Sequence, residues 1–109
     1  MSDDAFYLKH IREAIEKIFA YSKDGRGLFL QDSMIQDAIV RNFEIIGEAC
    51  KRLSEDIKKA RPEIPWRQIS AFRNILVHDY MGVDLEEVWN VIENHLPALQ
   101  NAVRDLLSS

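Results

Sequence analysis

The densest polar feature in an apolar setting is Arg73-Asn74-Ile75-Leu76-Val77-His78-Asp79-Tyr80. His titrates near neutrality and can take or give a proton. Arg is a permanent planar fork that grips phosphate at two points and stabilises developing negative charge. A phenol and an amide add orientation. An Arg–His pair without acidic metal ligands suits metal-independent transesterification of RNA, in which the ribose 2′-OH attacks the adjacent phosphate. The substrate then supplies its own nucleophile, and the protein must supply a base, an acid and charge stabilisation. A single His78 does not easily serve as base and acid in one step. A second copy across a twofold axis would bring the other imidazole. A plainer role fits the same residues: His78 and Tyr80 can end a helix and hydrogen-bond to its carbonyls.

On a helix, Asn74 and His78 are four apart and share a face. Arg73 and His78 are five apart, about 140° around an ideal helix, which a long Arg can span if the helix ends near His78. The carbonyl end of a helix carries partial negative charge and favours a cation.

The rest of the chain must hold that segment, and its periodicity is helical. Leu8, Ile11, Ile15 and Ile18 with Phe19 line one face of a first helix, and Lys9, Arg12, Glu13, Glu16 and Lys17 cover the other. The run KDGRG at 23–27 ends it. Ser33 with Gln36 fits a capping box for a second helix. Its wide apolar stripe runs from Ile35 through Phe43, Ile46 and Leu53 to Ile57, so it should be central. Gly47 inside it implies close helix approach, since glycine there costs about 1 kcal/mol against alanine. ARPEIP at 60–65 is a break. Pro65 opens a third helix carrying Trp66, Ile69, Phe72, Arg73, Ile75, Leu76 and Val77, which stops near HDYMG at 78–82. Asp84 with Glu87 caps a fourth, whose core face runs from Leu85 to Leu106 and which Pro97 should kink or split. The expectation is all-α: one domain over residues 1–109, an up-and-down bundle of four to five helices.

The chain has 109 residues, 47% of them hydrophobic, which excludes a disordered protein. No apolar run is long enough to span a bilayer, and MSDDAFYLKH lacks a signal-peptide h-region. The single cysteine, Cys50, makes no internal disulfide, which suits a cytoplasmic protein, and it reads as a small core residue. The net charge of −4 argues against nucleic-acid binding by the whole surface. Residues 51–73, however, hold seven of the 14 Lys and Arg against three acids. That stretch is either a solvated face or a local phosphate-attracting patch.

RNILVHDY has the pattern Arg, four residues, His, one residue, Tyr, with a polar residue after the Arg. NFEIIGEACKRLS at 42–54, IPWRQISAFRNILVHDY at 64–80 and DLEEVWNVIENHLPAL at 84–99 extend the match. With these segments the chain resembles the HEPN superfamily of helical ribonucleases, and in particular the HepT-like toxins. The resemblance implies an all-α bundle that dimerises, so that two RNA-cleaving motifs face a shared cleft. It makes Arg73 and His78 the catalytic pair, Asn74 the polar supporting residue and Tyr80 the motif tyrosine. It also implies a nucleotidyltransferase antitoxin that transfers AMP to Tyr80, adding charge and bulk beside the site. No metal or other cofactor is called for.

The alternatives are a non-catalytic module that binds a nucleotide or partner, and a purely structural dimerisation domain. Arg61 and Arg67 either hold the RNA backbone or are solvated charge. Glu44 and Glu48 either pair with Arg or Lys of a neighbouring helix or form a carboxylate pair. His10 reads as a surface or half-buried histidine. His95 has no partner at metal-ligand spacing, and Trp66 and Trp89 read as core or interface anchors.

Overall fold

A computed structural model describes residues 3–108, with Tyr80 described in its backbone only. Among these residues the protein is all-α. Five helices have ten or more residues: α1 (Asp4–Tyr21), α3 (Ser33–Arg52), α5 (Trp66–His78), α6 (Leu85–Asn94) and α7 (Leu96–Ser108). Two six-residue helices, α2 (Arg26–Gln31) and α4 (Glu55–Ala60), lie between them, and a 3-10 turn at Tyr80–Gly82 follows α5.

Three of the helices, α3, α4 and α6, start where a side chain satisfies free N–H groups. Asp84 accepts from the amides of Glu86 and Glu87, as the sequence predicts. The expected Ser33 cap is displaced by one residue. Asp32, in extended conformation, accepts from Met34 and Ile35 N–H, and the Gln36 amide instead donates to Phe29 O at 2.9 Å. The break after Gly25 is also a beginning. Gly25 has a φ of +98°, which only glycine adopts freely, and α2 starts at the next residue. α2 is held by its buried Phe29, which stacks on Trp89 at 5.6 Å, and by the Arg26–Glu86 ion pair.

The expected single helix through Ile57 is broken at Leu53. Leu53 is extended and buried, and Ser54 starts α4 by accepting from Ile57 N–H. Asp4 of α1 fixes that junction, accepting from Ser54 N at 2.9 Å and from its hydroxyl at 2.6 Å. Pro97 splits the last segment. It stands at the second residue of α7, where a missing N–H costs no helical bond.

α3 is central, packed between α1 and α5, while α7 lies against α1 and α6. Ile11, Ile15, Ile18, Ile39, Ile46, Val88 and Val103 are among the side chains almost wholly removed from solvent. Cys50 is among them too, and burial pushes its thiol up to about 12. Among the described residues no helix is long and apolar enough to cross a membrane.

Candidate active site

Arg73 is placed by α5, and α5 is placed by Gly47. A Cβ built on Gly47 would stand 2.2 Å from Arg73 Cβ and 2.8 Å from its Cγ. The glycine in the middle of α3 is therefore the seat of the Arg73 stem, which explains the propensity sacrificed there. From this seat the guanidinium reaches two acceptors. Nη1 donates to Asn74 Oδ1 at 3.1 Å, and Nη2 stands 3.5 Å from Glu48 Oε1. Nε is shielded from solvent and has no hydrogen-bond partner.

Glu48 belongs to this group. It also accepts from Arg52 Nε at 3.1 Å, one helical turn on. The Arg52 guanidinium, and then Arg73, hold its carboxyl below the usual carboxylate range. Of the two readings open for Glu48, pairing with a neighbouring helix is the observed one. Its position directly after Gly47 and four before Arg52 is the sequence signal that marks it.

His78 is exposed in the last turn of α5, and Asp79 caps that helix through its own N–H to Ile75 O at 2.9 Å. Asn74 is exposed one turn earlier. The side chain of Tyr80 lies outside the described residues; its backbone opens the 3-10 turn after α5. Ile75 and Val77 of α5 are 54% and 40% exposed, and Met81 is 96% exposed. α5 packs mainly on α3, and among the described residues these three side chains are left uncovered. An apolar patch thus flanks His78.

The other candidates are placed elsewhere. Arg61 pairs with Glu63 at 2.7 Å and with Asp105 of α7 at 3.1 Å. Its carbonyl accepts from Trp66 Nε1 at 3.0 Å, so this arginine fastens the start of α5. Arg67 is exposed in the first turn of α5, at the opposite end from His78. His10 is exposed and stacks edge-on with Phe6 at 4.5 Å. His95 is the exposed C-cap of α6. Among the described residues no group of three or more His, Cys, Asp or Glu is arranged to hold a metal ion.

Fold and site together define a helical-bundle protein with an Arg-(four residues)-His motif at the end of one helix. A match to the family described as Ribonuclease HepT-like spans residues 11–106. A relative from Thermococcus cleftensis named "Probable ribonuclease HepT" is 40% identical over 101 residues, 92% of either chain. A second, from Methanocaldococcus jannaschii, is named "Gamma-glutamylcyclotransferase and putative RNase MJ0434". It is 38% identical over 106 residues, 96% of this chain but 48% of the relative, so this chain spans about half of that longer protein. No solved structure is significantly similar. The chain belongs to the HepT-like ribonuclease family, within the HEPN superfamily.

Proposed function

We propose that residues 1–109 form one HEPN-like domain that acts as a metal-independent endoribonuclease, the toxin of a toxin–antitoxin pair. The observation that carries this reading is the seating of Arg73. An arginine packed on Gly47 and paired with Asn74 and Glu48 stands five residues before an exposed histidine. Membership of the HepT-like ribonuclease family and relatives named as ribonucleases support RNA as the substrate.

The active form is a homodimer. Ile75, Val77 and Met81 present the uncovered apolar surface that a second copy would bury, directly beside His78. In the shared cleft, neutral His78 takes the proton of a ribose 2′-OH. The 2′ oxygen attacks phosphorus, the bond to the 5′ oxygen breaks, and a 2′,3′-cyclic phosphate forms. Protonated His78 of the partner subunit gives its proton to the leaving 5′ oxygen. Arg73 balances the charge that builds on the phosphoryl oxygens. Asn74 orients Arg73 through their hydrogen bond.

Silencing rests on a nucleotidyltransferase antitoxin that moves AMP from ATP to the Tyr80 hydroxyl, releasing pyrophosphate. The added phosphate repels the RNA backbone and competes for Arg73.

The test is cleavage of single-stranded RNA in EDTA. Cleavage by the unmodified chain and its loss in both His78→Ala and Arg73→Ala, with helicity kept, is expected. Cleavage retained in the double variant rejects the proposal, and nucleotide binding without cleavage marks a non-catalytic module instead. For silencing, co-expression with the antitoxin should add AMP mass to Tyr80. An unchanged mass, with Tyr80→Phe still inhibited, rejects that part.

A further inference from the structure

A groove of about 420 Å³ runs between α1 and α3, and its walls include Glu48 and Arg73 of the site just described. Phe6 and His10 stand on its α1 side, and Arg41 and Arg52 on its α3 side. Phe6 is unusual for this helix. The residues that anchor α1 are Leu8, Ile11, Ile15 and Ile18, all buried, whereas Phe6 is 58% exposed. It is held in place from two sides, edge-on to Tyr7 at 5.1 Å and edge-on to His10 at 4.5 Å. A fixed, solvent-facing aromatic is not needed by the core, and its open face can stack a flat ring.

The charges around it fit the same kind of ligand. Arg41 and Arg52 are both exposed in the groove, and Arg73 adds a third cation. Two carboxylates face them, Glu44 and Glu48, of which Glu48 is already shared between Arg52 and Arg73. Cations spaced along one wall of a groove with an aromatic platform on the other make the recognition chemistry of an unpaired nucleic-acid strand. Phosphates meet the guanidinium groups, and bases stack without strict sequence preference.

We infer that this groove is a nucleotide subsite of the substrate strand: Phe6 with His10 stacks an unpaired base, Arg41 and Arg52, spaced along α3, hold phosphates of the strand, and the strand continues to Arg73. The inference rests on the RNA-cleaving reading and adds the residues that bind the strand beyond the scissile bond.

Binding is measured on the full chain carrying His78→Ala, so that RNA stays intact. Two short single-stranded probes are compared, one with bases and one of equal length built on abasic ribose. Phe6→Ala should weaken the base-bearing probe roughly 5- to 100-fold, the loss of one base stack. It should leave the abasic probe unchanged, and Phe6→Trp should restore binding. Arg41→Ala should weaken both probes and make binding less salt-dependent. If the unmodified chain cleaves RNA and neither substitution changes binding, the subsite is wrong and the nuclease stands. If it neither binds nor cleaves RNA, both fall. If Phe6→Ala changes the oligomer's mass in solution and leaves RNA binding intact, the groove is a protein interface and the inference is overturned.

Discussion

Gly47→Ala is the sharpest probe of how the bundle positions Arg73. The added methyl would lie 2.2 Å from Arg73 Cβ, an atom fixed to the α5 backbone that no rotamer change can move away. Ordinary van der Waals contact begins at 3.4 Å, so α3 and α5 must part by about 1.2 Å at this point. Overpacking of this kind costs about 1–3 kcal/mol, while alanine in place of glycine within a helix returns about 1 kcal/mol. The net loss is about 0–2 kcal/mol, a fall in Tm of about 0–10 °C for a chain of this size. If Arg73 acts as proposed, the effect on cleavage should be far larger, because a displacement of about 1 Å at a catalytic group costs about 100-fold. Thermal melts followed by circular dichroism, run beside RNA-cleavage rates, separate the two. Gly27→Ala is the control. Its Cβ meets nothing within 4 Å and it lies in α2, so stability should rise by up to about 1 kcal/mol with cleavage unchanged. A Gly47→Ala protein that cleaves within about threefold of the parent rate would refute the claim that this glycine seats the arginine.

Other consequences follow from single contacts. Glu48→Gln should slow cleavage about tenfold by loosening Arg73. Because Glu48 is held below the ordinary carboxylate range, its contribution to stability is present above about pH 4.3 and disappears as pH falls through its folded-state value. Urea melts should thus separate Glu48→Gln from the parent at pH 7, and the gap should narrow as pH falls; a gap unchanged on acidification counts against the pairing. Asp84→Ala should cost about 1 kcal/mol, and Asp84→Asn much less, since only the alanine loses the bonds to the Glu86 and Glu87 amides. Cys50, with its thiol near 12, is roughly one part in ten thousand thiolate at pH 8, so an alkylating reagent should label it only after unfolding. Rapid labelling of the folded chain would contradict its burial.

Features written in consecutive residues were readable from the sequence. The Asp84 cap, the glycine-marked approach at Gly47 and the order Arg73, Asn74, His78 are of this kind. What required the third dimension stayed hidden. Asp32 and Ser33 are both good caps, and only the extended backbone at Asp32 decides between them. Leu53–Ser54 has no Gly or Pro to announce a break; the carboxylate that stabilises it comes from Asp4, fifty residues away. Ile75 and Val77 fit a core stripe by spacing, because α5 is apolar on more than one face. Only the packing of α5 on α3 shows that one of those faces is open. The partner of Glu48 was one of two alternatives until α3 and α5 were brought together by Gly47.

The two halves of the motif are held differently, and Arg73→Lys tests what that difference is for. His78 sits exposed at a helix end. Arg73 is fixed before any substrate arrives. Its stem rests on Gly47, while one N–H of Nη1 goes to Asn74 and Nη2 faces Glu48. Each terminal nitrogen keeps a further N–H for a phosphoryl oxygen. A lysine retains the charge and much of the stem, but its ammonium is a single point. It cannot face Asn74 and Glu48 and also present a two-point fork to phosphate. If oriented donors stabilise the transition state, Arg73→Lys should lower the cleavage rate about 100- to 1000-fold, as the loss of a preorganised donor does. Stability should change by no more than about 1 kcal/mol, because the pairs being replaced are partly solvated. Rates for Arg73→Lys close to those of the parent would mean that positive charge alone suffices. The contacts from Asn74, Glu48 and Gly47 would then be packing without catalytic consequence.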